Sequence, residues 1–581
     1  NVLGGAGGSG LDTETLIKAL NEAKSFPAIQ DKDQITSNGK VTDSLNEFSK
    51  LLSNFQLASD ALRNPPGVGN AASNAFLFTT TSVSSNTAVA GSSYMTVSAS
   101  PGANLQNYTI NEVTSVATAA TQSSTAFTIA DLDTDSVVTA GGGAQLFKAG
   151  TITIRGQDIT LDDGDTLGEV AAKFNAVSDE TGIAATVIKI SGTSYQLSFS
   201  AVETGTANDF DLTNASVATV TDATGVLTGI GFNAAAGATN AEFIINGVSV
   251  TRSSNAIDDV IDGVTFNIVQ ATPPATTLSI SIKPDTVTAQ NTIINFVKAY
   301  NELKTFEAKQ TQLKNDGTYA DTAVLANNST FRNTIAEVTA NVAGKVAGLS
   351  GLSSLADLGI TFVNQPASGD TPAVSNIINV DDGKLTSALT TKFNEVRKVF
   401  GFTFSSSNPN LGIFKYTNAL SITNFTITAD PDNVVAANRF TATYDLGAGP
   451  VTVSLTATPI NGSTGYSLTG PDGTPLQGLQ MIYASEDDAT ITVSATQGIA
   501  AKVYNAAEKA VTPNTGTISV EVTSIQDRNK KLQESIERVN LQVEQYRQTL
   551  IAKFSALEQA ISRVNTILQS LDAQQQAANN A

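Results

Sequence analysis

The chain has 581 residues, of which 41% are hydrophobic and only 15% charged; it carries a formal charge of −20 and contains neither Cys nor His. That length exceeds one hydrophobic core, so several domains are expected, and the missing residue types remove disulfides, Cys–His and Ser–His–Asp nucleophiles and nearly all zinc sites. Residues 1–68 hold 8 acidic against 6 basic residues and 518–581 hold 7 of each, so −18 of the charge lies between two near-neutral ends. With no basic stripe to displace counterions from phosphates, nucleic acid is excluded as a partner, and no apolar run is long enough to span a membrane.

In chain order, 1–10 is a glycine-rich leader. It fits G-x-G-x-x-G, but no strand precedes it, so a dinucleotide site is not expected. It also lacks the basic and apolar regions of a Sec signal. Asp12 is an expected N-cap for a short helix through Leu16, Leu20 and Ala23 that stops before Pro27. Ile35, Val41, Leu45, Phe48, Leu52, Phe55 and Leu62 then step mainly by three and four, predicting a second amphipathic helix that ends at Asn64-Pro65-Pro66-Gly67.

From Phe76 the pattern becomes alternation rich in Thr, Val and Ser, as over 88–99 and 108–113, which predicts strands. Over 150–212 the expected order is a hairpin (151–155 and 157–161), a helix opened by the capping box Thr166 to Glu169 and continued by Val170, Phe174 and Val177, then strands at 184–190 and 195–200. Asn246-Gly247 centres a hairpin within 241–250, and 265–269 and 278–282 read as strands. Helical spacing returns at Ile293, Phe296, Tyr300 and Leu303, and again at Leu385, Leu389, Phe393, Val396 and Phe400; 355–362 and 377–380 read as strand edges and loops. A further turn-rich, alternating stretch covers 425–493.

The last segment, 518–571, reads as one long amphipathic helix. Its apolar stripe is Val522, Ile525, Leu532, Ile536, Val539, Val543, Tyr546, Leu550, Phe554, Leu557, Ile561, Val564, Leu568 and Leu571, with Asn529 as the one polar turn and a stutter at Leu550. Such a rod needs a partner helix, and the stripe Leu45, Phe48, Leu52, Phe55 and Leu62 is the natural one. The expected fold class is α+β multidomain, with terminal helices forming a coiled-coil stem and β-rich head domains inserted between them. Its expected parts are leg helices at 1–68, a discontinuous β head at 69–130 and 239–285, an inserted head domain with a ββαββ unit at 131–238, a helical stem segment at 286–404, an inserted β domain at 405–497, and the long leg helix at 498–581.

Candidate chemistry is sparse. Asp162-Asp163-Gly164-Asp165, Asp381-Asp382-Gly383, Asp430-Pro431-Asp432-Asn433 and Glu486-Asp487-Asp488 read as solvated turns rather than cation sites, since none has the ligand order of an EF-hand. No carboxylate pair stands out for acid–base work, so no enzyme and no cofactor are expected.

Several motifs in order resemble the flagellar filament cap family, also called hook-associated protein 2. They are Gly10-Leu11-Asp12 ahead of a helix, Ala241-Glu242-Phe243, Asn246-Gly247-Val248, Arg252-Ser253-Ser254-Asn255, the run from Asp258 to Thr265, and Phe296-Val297-Lys298-Ala299-Tyr300-Asn301-Glu302-Leu303. Further on come Leu355-Ala356-Asp357-Leu358-Gly359-Ile360, Gly383-Lys384-Leu385, and Glu544, Tyr546, Arg547, Phe554, Leu557 and Glu558 of the closing helix. Residues 150–212 resemble the repeat shared by flagellins and hook-associated proteins. The stretch of β structure before the last helix is a departure from many members.

The resemblance implies export through the flagellar type III apparatus with an export chaperone, and a homo-oligomeric ring, pentameric in most members, at the extracellular tip of the flagellum. Flagellin and the distal filament end would be its partners, with folding and insertion of exported flagellin and retention of the subunits as its work. The spacing of the two stripes, rather than the resemblance, predicts a coiled-coil leg interface through Leu45, Phe48, Leu52, Phe55, Leu62, Ile536, Val539, Val543, Tyr546, Leu550, Phe554, Leu557, Ile561, Val564 and Leu568. Two other readings stay open: a hook–filament junction or filament subunit, and an adhesin whose β heads bind host mucin or glycan through Tyr444, Tyr466 and Tyr483.

Overall fold

The computed structural model describes residues 13–65, 74–128, 137–140, 143–146, 150–162, 165–213, 219–222, 230–369 and 372–579. The Gly10-Leu11-Asp12 start, the expected Asp12 cap, Asp163-Gly164 and Pro66-Gly67 therefore lie outside the described residues. The helices are α1 (Thr13–Asp60), α2 (Leu167–Asn175), α3 (Ser178–Thr181), α4 (Thr286–Gln310), α5 (Ser329–Ala343), α6 (Asp382–Thr391), α7 (Phe393–Phe400), α8 (Ile499–Val511) and α9 (Thr517–Asn579). The chain divides into two units, 76–285 and a second made of 1–75 with 286–581.

In the unit 76–285, an antiparallel five-stranded sheet runs in the order Thr79–Ser85, Leu278–Pro284, Asn107–Ser115, Ala241–Ile245, Val248–Arg252. With the three-stranded sheet of Ala256–Ile261, Val264–Ile268 and Met95–Ala99 it encloses a core that includes Met95, Ile110, Phe243, Phe266 and Ile280. The alternating stretch 88–99 is a strand only from Met95; before it the chain turns through the short helix Gly91–Ser93, where Gly91 packs against the backbone of Val83 and Ser84. A second core holds Phe127, Ile152, Leu161, Leu167, Val170, Phe174, Leu197 and Phe199, with α2 packed between the strand pairs Gly150–Ile154/Gln157–Leu161 and Ile183–Ser191/Ser194–Ala201. The strand Ser194–Ala201 buries every second residue, the period-two signature that the sequence carries. The capping box forms: Glu169 N donates to Thr166 Oγ1 at 3.2 Å, and Thr166 N donates to Glu169 Oε2 at 2.8 Å.

The other unit is a helical stem with a β domain set into it. α1 is one helix rather than the two that Pro27 suggested. Pro27 is exposed and leaves the Ala23 carbonyl without its helical donor, at a cost of about 3 kcal/mol. A break there would also take Ile17 and Ala28, both 7% exposed, off one common stripe, and helical turns propagate from both sides. Phe48 and Phe55, expected in the seam with the C-terminal rod, also pack on α4 and α5 of the stem. Phe48 packs on Phe331 of α5 and Phe306 of α4 at ring distances of 4.9 and 6.1 Å, and Phe55 packs on Phe296 and Tyr300 of α4 at 4.8 and 5.8 Å. Rings of that size fill a multi-helix core, whereas a two-helix seam leaves them half in water.

The stretch 385–400 forms two helices, α6 and α7, broken at Lys392, whose backbone leaves the helical region. Between α4 and α6 a two-stranded ribbon, Ile360–Gln365 and Val374–Val380, lies along α4. The late alternating stretch folds into a five-stranded and a four-stranded sheet around Phe425, Ile427, Phe440, Leu468, Met481, Tyr483 and Ile491.

Candidate assembly interface

The leg is an antiparallel pair formed by the N-terminal part of α1 and the middle of α9. Thr13 Oγ1 donates to Glu558 Oε1 at 3.5 Å at one end, and Asn38 Nδ2 donates to Asn529 Oδ1 at 2.6 Å nearer the stem. Asn38 is only 6% exposed and also accepts from Gln34 Nε2 at 3.0 Å, so a buried amide meets the half-buried amide of Asn529 in the seam. A polar pair at such a position selects register, because a slip would leave the buried Asn38 amide unsatisfied.

Leu45, Phe48, Leu52, Phe55 and Leu62 are fully buried, in the stem. On α9, Ile536, Val539, Val543, Tyr546, Phe554 and Ile561 are half-buried and Leu550 is buried. Leu557, Val564 and Leu568 are exposed, at 44, 54 and 52%. At about 1.5 Å per residue, α9 continues roughly 30 Å beyond Glu558, the partner of the first described residue of α1. Over that length Val564, Leu568 and Leu571 of its stripe are exposed, at 54, 52 and 52%.

Above the leg, the family-like motifs serve as fasteners. Asn301 clamps the ribbon edge from both sides, donating to the Ile378 carbonyl and accepting from the Ile378 N–H, each at 2.8 Å. Asp357 accepts from the Ser353 and Ser354 N–H groups at 2.9 Å and from both hydroxyls; the Ser353 backbone bond and then the Ser354 hydroxyl hold its carboxyl below the usual range. Gly359 has φ +80°, and a Cβ there would stand 2.7 Å from Lys384 Cβ, so the motif requires glycine. In the other unit Asn255 plays the part of Asn301, accepting from Ala117 N at 2.7 Å and donating to Ala117 O at 2.8 Å, while Arg252 Nε reaches both oxygens of Asp259 at 3.0 Å.

The β domain is rooted at the stem by a joint around Arg63. Phe402 N donates to the Arg63 carbonyl at 2.6 Å, and the Arg63 guanidinium lies 3.7 Å from the centroid of Tyr504 in α8 and pairs with Asp60 at 2.5 Å. Tyr416 stacks on Phe402 at 3.9 Å, and burial drives its hydroxyl pKa upward. Gly498 N donates to Gly401 O at 2.9 Å, so the chain leaves and re-enters the stem at one point.

Of the aromatic platforms expected of an adhesin, Tyr483 is fully buried, with its hydroxyl donating to Asp487 O at 2.7 Å, Tyr444 is 7% exposed, and Tyr466 is half-buried against Phe440. The Asp162 to Asp165 turn already holds a cation, since Lys173 Nζ donates to Asp162 and Asp165 at 2.7 and 2.6 Å. Desolvation pulls the Lys173 pKa down, but those two bonds outweigh it and raise it. Among the described residues no group of three or more acidic side chains could hold a metal ion, and no helix is long and apolar enough to cross a membrane.

Sequence reasoning missed Asn38, Arg63, Asn255 and Asn301 as fasteners. Asn38 had a signal, since it falls three residues after Ile35 and seven before Leu45 on the same stripe. Asn255 and Asn301 lie in the family-like motifs, though nothing in those motifs named their partners, and Arg63 had no signal, because its partners are set by tertiary packing.

A paired helical leg, a helical stem and β domains inserted into the chain define a structural assembly subunit. The models of the flagellar hook-associated protein 2 C-terminus and N-terminus match residues 238–566 and 9–120, and that of the flagellin hook IN motif matches 150–203. The chain belongs to the flagellar hook-associated protein 2 family, the filament cap proteins of the bacterial flagellum. It is 26% identical over 411 residues to the A-type flagellar hook-associated protein 2 of Pseudomonas aeruginosa, covering 68% of this chain and 79% of that one. The Escherichia coli K12 flagellar hook-associated protein 2 is 27% identical over 401 residues, covering 66% and 76%. Among solved structures, the D1-D2-D3 domains of the flagellar cap protein FliD from Escherichia coli align at 24% identity with a TM-score of 0.41, covering 61% of this chain and 89% of that one.

Proposed function

We propose that this cap protein works as a homo-oligomeric ring whose legs engage the distal end of the filament, where it promotes folding and insertion of exported flagellin and retains the subunits. In this reading the chain is exported by the type III apparatus with a chaperone, acts outside the cell and performs no covalent chemistry. The observation that supports it best is the uncovered apolar stripe of α9 beyond Glu558, at Val564, Leu568 and Leu571, which suits packing against helical neighbours in an assembly. We also assign 402–497 as one inserted domain, because its first and last residues, Phe402 and Gln497, are ladder partners.

Electron microscopy and sedimentation of the purified full-length chain test this reading. A closed species of fixed subunit number is expected. Open-ended polymers that lengthen with concentration would indicate a filament or junction subunit instead.

A further inference from the structure

Three Asn-Gly pairs occur in the described chain: Asn38-Gly39, Asn246-Gly247 and Asn461-Gly462. In this dipeptide the glycine nitrogen, unshielded by a following side chain, can attack the asparagine amide. Whether it does depends on local backbone freedom. Asn246-Gly247 is held, because Thr109 N donates to Asn246 Oδ1 and Gly247 N donates to Asn111 Oδ1, each at 2.9 Å. Asn461-Gly462 lies in an exposed turn. Asn38-Gly39 is the unusual one, since it lies in the middle of α1 and its asparagine is the buried seam residue bonded to Asn529 and Gln34.

We propose that Asn38-Gly39 is a deamidation site gated by pairing of the leg. While α1 and α9 are paired, both ends of the Asn38 amide are engaged, and the helical backbone points the Gly39 N–H at the carbonyl one turn back, away from Cγ. When the leg opens, Gly39 N attacks Asn38 Cγ. The new N–C bond replaces the Cγ–amide bond, and ammonia leaves with the proton from Gly39. Water then opens the succinimide to aspartate or isoaspartate. Aspartate puts a charge where a neutral amide donated to Asn529, and isoaspartate adds a backbone carbon inside the helix. Either product disfavours re-pairing, so a chain that stays open ages irreversibly. The seam is suited to opening: Asn21 Oδ1 is buried without a hydrogen bond, Pro27 interrupts the ladder, and Asn38 itself is polar.

Peptide mass spectrometry of the full-length chain, aged at mildly alkaline pH with and without urea, tests the gate by the mass gain of replacing amide NH2 with OH at each site. Modification at Asn38 should be slower in the native chain than in urea by about tenfold or more, tracking the open population, while Asn461 should react in both. Leu550→Asp, which places a charge in the seam, should bring the native rate at Asn38 toward the urea rate. Gly39→Ala should suppress the reaction in urea, and no heavy atom within 4 Å obstructs a Cβ at that position in the folded leg. In the aged sample, modified molecules should exchange amide hydrogens faster over 13–45 than unmodified ones. Equal rates at Asn38 in native buffer and urea, no slowing in Gly39→Ala, or unchanged exchange in modified molecules would overturn the proposal.

Discussion

Asn38 and Asn529 are 491 positions apart, yet their side-chain amides meet at 2.6 Å inside an otherwise weakly apolar seam. Asn38→Leu alone strands the Asn529 amide against an apolar side chain and should destabilise the leg by about 1–3 kcal/mol. Asn38→Leu combined with Asn529→Leu should recover that stability but lose the register. Spin labels at Thr13 and Glu558, introduced through cysteines in a chain that has none, should give one narrow distance in the native leg and a broad or shifted one in the double variant.

The Arg63 joint should set how firmly the 402–497 domain is held to the stem. Arg63→Ala removes the contact with Tyr504 and the pair with Asp60 while leaving the backbone bond to Phe402. A loss of roughly 1–3 kcal/mol is expected for a partly buried cation with both kinds of partner. Limited proteolysis should then cut first near 401 or 498. Arg63→Lys should not restore the protection, because an ammonium cannot stack its plane on the ring.

Tyr300, enclosed by α1 and the ribbon, has its hydroxyl pushed up to about 12 by burial. Its folded-state pKa lies above the unfolded value near 10, so its contribution is complete below pH 10 and is lost as pH rises toward 12. Urea unfolding monitored between pH 9 and 11.5 should show the stem losing stability, with roughly 2 to 3 kcal/mol of the full effect belonging to this residue. Tyr300→Phe should flatten that part of the slope.

Much of this architecture was legible where one local rule dominated. The capping box at Thr166, the hairpin at Asn246-Gly247 and the 3–4 spacing of α9 each declare themselves within a few residues. The errors came where tertiary packing overrode a local rule. Pro27 stays within α1 because residues on both sides of it share a stripe, and Phe48 and Phe55 also pack on α4 and α5 because the stem offers them a larger core. α5 was not anticipated, and the one leg helix expected over 498–581 is two, α8 and α9, broken between Val511 and Thr517 where Asn514 takes φ +65°. For the interface, the stripe on α9 was readable, but the polar lock at Asn38 and the joint at Arg63 depend on partners hundreds of residues away.

The most direct test of the cap account is made in cells. The gene is deleted and then restored either with the full chain or with a version ending before Ile518, and flagellin in the medium is measured as free monomer against attached filament. Cap function through the leg predicts that deletion sheds monomer, that the full chain restores filaments, and that the version without α9 does not. Normal filament growth without the protein, or full restoration by the shortened chain, would contradict it.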